Sequence, residues 1–110
     1  MTDITACVPV NPDGTIHERL GQAHTVATCR LHDGQLTDWS EHVVNWDYAY
    51  GVDGYGVHHP RVIRFMKDHE VDVVVAHDVC DTVADSLRTI GMRVVDDASG
   101  DARAAVAALS

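Results

Sequence analysis

Apolar residues follow two different rhythms along this chain, and the change of rhythm divides it in two. From Ile4 to Val10 they alternate, at Ile4, Ala6, Val8 and Val10, which predicts a first strand. Asn11-Pro12-Asp13-Gly14 has the composition of a turn. His17 to Ala23 carries no clear period and reads as a short helical turn or loop. Thr25 to Leu31 predicts a second strand. Asp33-Gly34 is a strong hairpin signal, and Gln35 to Val44 returns as a third strand with Leu36 and Trp39 facing inward. Asn45 to Val57 loses all period and carries Gly51, Gly54 and Gly56 among Tyr48, Tyr50 and Tyr55. So long a loop inside a compact domain is often functional.

Beyond it the spacing turns helical. Pro60 suits the first turn of a helix, where its missing N–H has no partner to lose. Val62, Ile63, Phe65, Met66 and His69 then make one apolar stripe. Val71 to Ala76 is a nearly continuous β-branched run, the pattern of a strand covered on both faces. Asp81 or Thr82 opens a second helix with Val83, Ala84, Leu87 and Ile90 buried, and Gly91 supplies the left-handed residue that ends it. Met92 to Val95 is the next strand, parallel to the one before it. Asp96 to Gly100 is a loop, and Asp101 to Leu109 an alanine-rich terminal helix. The chain reads as one domain over residues 1–110, an antiparallel front half followed by a βαβ back half.

Composition narrows the function classes. The 110 residues hold 8 Lys+Arg against 17 Asp+Glu, a net charge of −9. Without clustered cations a phosphate backbone has nothing to bind, so nucleic acid is not an expected partner. Acidity also disfavours anionic membrane surfaces, and no apolar run could span a bilayer. The opening residues lack the charged and apolar regions of a signal peptide, so a cytoplasmic location is expected. Cys7, Cys29 and Cys80 are odd in number and far apart, with no C-x-x-C pair, which predicts free thiols. Eight histidines in so short a chain is the more unusual total.

The chemistry gathers at one place. Ligands of open α/β sheets bind outside the carboxyl ends of the strands, and there fall His77, Asp78 and Cys80, between the fourth strand and the second helix. Imidazole and thiolate are ligands for iron, zinc, copper or a metal–sulfur cluster. The positive end of the helix favours thiolate and anion, and so an anionic cluster over a bare cation. His58 and His59, at the start of the preceding helix, could reach the same rim, as could His17 if the first strand is central and parallel to the fourth. Glu18 would then stand behind His17. The plain alternative makes Cys80 a small apolar residue and the histidines solvated or capping groups. An enzymatic alternative makes Cys80 a nucleophile activated by a nearby His. The chain carries no hydrolase elbow, phosphate loop or dinucleotide fingerprint. Asp72, Asp78, Asp81 and Asp85 read as a solvated face rather than a magnesium cluster.

The run HHPRVIRFMKDHEVDVVVAHDVCDTVADSLRTIGMRVV resembles the second half of the dinitrogenase iron–molybdenum cofactor biosynthesis domain. ITACVPV, a turn, and IHERLGQAHTVATCRL resemble its first half, so the likeness covers nearly the whole chain. Leu20 stands where the family usually has Phe, and Gln22 where it often has Arg. Ala76-His77-Asp78-Val79-Cys80 replaces a commonly glycine-rich turn, removing a backbone nest and installing side-chain ligands. The resemblance implies a ribonuclease H-like motif, an α/β fold with a mixed five-stranded sheet and helices on both faces. It also implies a non-catalytic role: nitrogenase accessory factor-like binding of an iron–sulfur or iron–molybdenum cluster, passed between metal-cluster assembly proteins. Joined to the residues above, it makes Cys80, His77 and His59 the expected metal ligands, with His58 and His17 in the wider cofactor-binding set. A single metal ion would use the same donors. So incomplete a set suits a carrier that must release its cargo, or a homodimer sharing one site. A metal-free small-ligand or protein-interaction module is the remaining reading.

Overall fold

A computed structural model describes residues 3–46 and 55–109, with the backbone alone over 55–60. Its elements are β1 (Asp3–Val10), a 3-10 turn (Leu20–Gln22), β2 (Thr25–His32), β3 (Gln35–Val43), α1 (Tyr55–Asp68), β4 (Val73–Val75), α2 (Asp81–Thr89), β5 (Arg93–Val95) and α3 (Ala102–Ala107). The strands form one five-stranded sheet in the order β3-β2-β1-β4-β5. β1–β2 and β2–β3 are antiparallel, β1–β4 and β4–β5 parallel. The sheet is therefore mixed, with β1 at its centre, as the family resemblance implies.

Burial explains both rhythms. On one face Cys7, Val26 and Val74 pack under Val62 and Met66 of α1 and Val83, Ala84 and Leu87 of α2. On the other, Ala6, Val8, Ala27, Cys29, Val73 and Val75 pack under Ala102 and Val106 of α3. Helices cover both faces, so the central strand is apolar at consecutive positions, Ala6 through Val10 all being buried. Fully burying a side chain such as Leu87 or Met66 contributes about 1.5–3 kcal/mol.

Turn chemistry sets the connections. Asp33 and Gly34 both take positive φ, 51° and 83°, as a two-residue hairpin of the primed type needs. Leu36 and Trp39 are an odd number of residues apart, yet both pack on the α3 face. A bulge reconciles them: Arg30 pairs with Asp38 but Leu31 with Leu36, which leaves Thr37 as the extra residue.

The two helices that feed parallel strands end in the same way. At α2, Gly91 (φ 94°) is the left-handed residue, with Met92 N–H on the Leu87 carbonyl and Gly91 N–H on that of Arg88, both 3.0 Å. At α1, Glu70 (φ 53°) takes that role, with Val71 N–H on Met66 at 3.0 Å and Glu70 N–H on Lys67 at 3.1 Å. Both are Schellman motifs, and in each the apolar residue after the turn is buried with its partner in the last helical turn.

Three expectations need correction. Helix α1 begins at Tyr55, so Pro60 lies beyond its first turn and leaves one preceding carbonyl without its helical donor. Ile90 is 45% exposed, because it occupies the C-cap of α2, where the chain already turns away from the buried stripe. Trp46, assigned to a loop, is only 2% exposed; its N–H bonds the Ala23 carbonyl at 3.0 Å and its ring meets Phe65 edge-on at 5.5 Å. Of the expected loop, residues 47–54 lie outside the described residues.

Candidate functional site at the carboxyl rim

Because β1 and β4 are parallel neighbours, the segments that follow them leave the same edge of the sheet. After β4 the chain stays pinned for one residue more: Ala76 N–H bonds the Val95 carbonyl at 2.8 Å and its own carbonyl accepts from Ala98 at 3.0 Å. Then His77 and Asp78 turn out to solvent, Val79 returns to the core, and Cys80 is exposed. Cys80 is the N-cap of α2, with φ −55° and ψ 135°, and its side chain makes no capping bond. Its carbonyl accepts the first helical bond, from Ala84 at 2.9 Å. The thiol thus stands in the positive field of a helix start without being used as a cap.

The segment after β1 comes to meet it. His17 N–H bonds the Pro9 carbonyl at 3.0 Å, and Leu20 N–H bonds the Asp78 carbonyl at 3.1 Å. Arg19 Nε lies 3.9 Å from Asp78 Oδ2, with the two side chains 60% and 62% exposed, so this pair adds little energy. The backbone bond is the firmer tie. His17 Nδ1 is 3.0 Å from the Arg19 N–H and 2.9 Å from its carbonyl. The tautomer in which Nδ1–H donates to the carbonyl leaves Nε2 with a lone pair for a ligand. Acceptance from the N–H places hydrogen on Nε2 instead.

The structure therefore puts Cys80 and His77 on one rim segment and His17 on the segment bonded to it. His58 and His59 fall within α1, and their side chains lie outside the described residues. Among the described residues no three His, Cys, Asp or Glu side chains gather closely enough to hold a metal ion. No hydrogen bond joins His77 to Cys80. The tie of Arg19 and Leu20 to Asp78 escaped the sequence reading, since nothing in the spacing links residues so distant along the chain.

The other two thiols are of a different kind. Cys7 and Cys29 are buried in the middle of β1 and β2. Burial, with Cys29 nearby, pushes the Cys7 thiol far above its ordinary range. Burial also lifts Cys29 to about 11, with Arg103 opposing the rise and Asp38 adding to it. Cys29 Sγ donates to the Ala6 carbonyl at 3.5 Å.

Solved structures share this architecture. The chain is similar to the protein PH0822, at 13% identity and TM-score 0.78 over 96% of this chain and 88% of that one. It is similar to a protein of Methanocaldococcus jannaschii described as a candidate dinitrogenase, at 8% identity and TM-score 0.68 over 99% and 89% of the two chains. A Thermotoga protein described as a candidate NifB protein matches at 18% identity and TM-score 0.67 over 96% and 86%. Likenesses this distant define the fold. The family follows from the sequence: residues 2–110 match the model of the family described as dinitrogenase iron-molybdenum cofactor, and the chain belongs to that family. A comparison with curated proteins finds no match.

Proposed function

We propose that this protein is a non-catalytic carrier that holds an iron–sulfur or iron–molybdenum cluster, or a single metal ion, at the carboxyl rim of β1 and β4. The observation that carries the reading is the exposed thiol of Cys80 at the α2 N-terminus, which makes no capping bond, with His77 exposed on the same short segment. Membership of an iron-molybdenum cofactor family supports it. One thiol and one imidazole suit iron better than magnesium or calcium. An open pair of donors leaves coordination positions for a delivering protein, a receiving protein, or a second copy of the chain. His17 is the next donor in reach, through its Nε2, and His59 and His58 complete the proposed set.

The test is metal analysis of protein purified without oxygen, followed by anaerobic reconstitution with iron, sulfide and molybdate. Wild type should take up metal with a visible charge-transfer band, and Cys80→Ala with His77→Ala should lose both. Equal loading of the double variant would overturn the assignment.

A further inference from the structure

A second polar site lies away from the rim, where α1 runs out and leaves part of the sheet bare. The strand register sets Thr5, Arg30 and Asp38 in one row across β1, β2 and β3, with Thr28 in the next row. Directly opposed residues of antiparallel strands point to the same face, here the α1 face. His69, just past the end of α1, joins them in lining a shallow, open notch of about 110 Å³, in which Arg30, Asp38 and His69 are all exposed.

The charges in the notch are unspent. Arg30 and Asp38 face each other in register, yet neither side chain forms an ion pair or hydrogen bond among the described residues. The other polar groups are oriented. His69 Nδ1 donates to the Phe65 carbonyl at 2.9 Å, so the neutral ring presents Nε2 as an acceptor. Thr28 Oγ1 is 2.8 Å from His42 Nε2, and the His42 and His69 rings meet edge-on at 5.0 Å. A simple anion placed here would meet the Asp38 carboxylate, and a simple cation the Arg30 guanidinium.

We infer that this notch binds a small zwitterion of the amino acid class, its carboxylate on Arg30 and its ammonium on Asp38 and His69 Nε2. A guanidinium takes a carboxylate through two parallel N–H bonds, and an ammonium supplies donors to the carboxylate and imidazole acceptors. Only a ligand carrying both charges satisfies both walls.

The test is titration of the isotopically labelled full chain with glycine, acetate, methylammonium and inorganic phosphate in separate NMR series. Glycine should shift the amides of Thr5, Thr28, Arg30, Asp38 and His69, and the three singly functional probes should not. Arg30→Gln and Asp38→Asn should each weaken the glycine response by about tenfold or more, with the spectrum elsewhere unchanged. Acetate or phosphate acting as strongly as glycine would make this a plain anion site and overturn the inference. So would methylammonium alone shifting these amides, or glycine shifting none of them. Metal loading at Cys80 should be untouched by either variant, so this inference and the carrier reading fail separately.

Discussion

The two ends of the parallel strands are built to opposite rules. At the amino ends, α1 and α2 turn into β4 and β5 through Schellman motifs closed by backbone bonds, with Val71 and Met92 buried beside Met66 and Leu87. At the carboxyl ends, β4 opens into a segment where His77, Asp78 and Cys80 all face solvent. Sequence at the first end is spent on conformation and packing. At the second, Val79 and Ala76 are buried and the Leu20 N–H bonds the Asp78 carbonyl at 3.1 Å, while the side chains of His77, Asp78 and Cys80 take no part in the packing. The lesson is that a histidine or cysteine in this chain acquires meaning from the end of the strand it occupies. Cys7 and Cys29, in mid-strand, are packing groups.

Substitutions should separate the two ends sharply. Leu87→Ala and Met66→Ala, at the packed end, should each cost about 2–5 kcal/mol in chemical denaturation. High pH should come next. Cys29 has its thiol raised from 9.0 to about 11 in the fold, so it keeps its proton while the unfolded chain loses it. Its contribution is complete below the unfolded value and is lost as pH climbs toward the folded one; Cys7 is shifted the same way and extends the loss. Denaturation midpoints should therefore fall between about pH 9 and about pH 11, and Cys29→Ala should reduce that slope, leaving the part that belongs to Cys7.

Smaller effects test the turns themselves. A Cβ at Gly91 meets no atom within 4 Å, so Gly91→Ala should cost only the left-handed backbone strain, about 1–2 kcal/mol. Glu70→Gly relieves the same strain at the matching position and should stabilise by about 0.5–1 kcal/mol. At the open end, Cys80→Ala should shift stability by less than about 0.5 kcal/mol. There the readout is chemical: in the native protein an alkylating reagent should modify Cys80 and leave Cys7 and Cys29 untouched until the chain unfolds. Prompt modification of Cys29 in the fold would break the contrast between the ends.

Much of this was legible beforehand. Asn11-Pro12-Asp13-Gly14, Asp33-Gly34 and Gly91 announce their turns through residues that favour those backbone shapes, and the β-branched run from Val71 to Ala76 announces a buried strand, whose paired part is the shorter Val73–Val75. What escaped has a common physical source. Trp46 is buried because a distant segment, Phe65 on α1, comes to cover it, and Thr37 bulges because the Arg30–Leu31 register shifts. Phe65 lies 19 residues from Trp46, and the bulge, though its partners are close in sequence, is set by the pairing across the hairpin rather than by the apolar pattern. At the rim, the position of Cys80 and His77 followed from the strand–helix boundary alone. The meeting of the His17 segment with theirs depends on β1 lying next to β4, which periodicity does not encode.

The central place of β1 has a consequence for how the chain is made. One of its flanks can be paired early, by β2 close behind it, while the other stays open until Val73 and Val74 are synthesised. Through that interval an apolar strand with unfilled backbone donors and acceptors is available to any neighbouring nascent chain. Addition of β4 closes that flank of the central strand, and β5 in turn covers the flank that β4 leaves open.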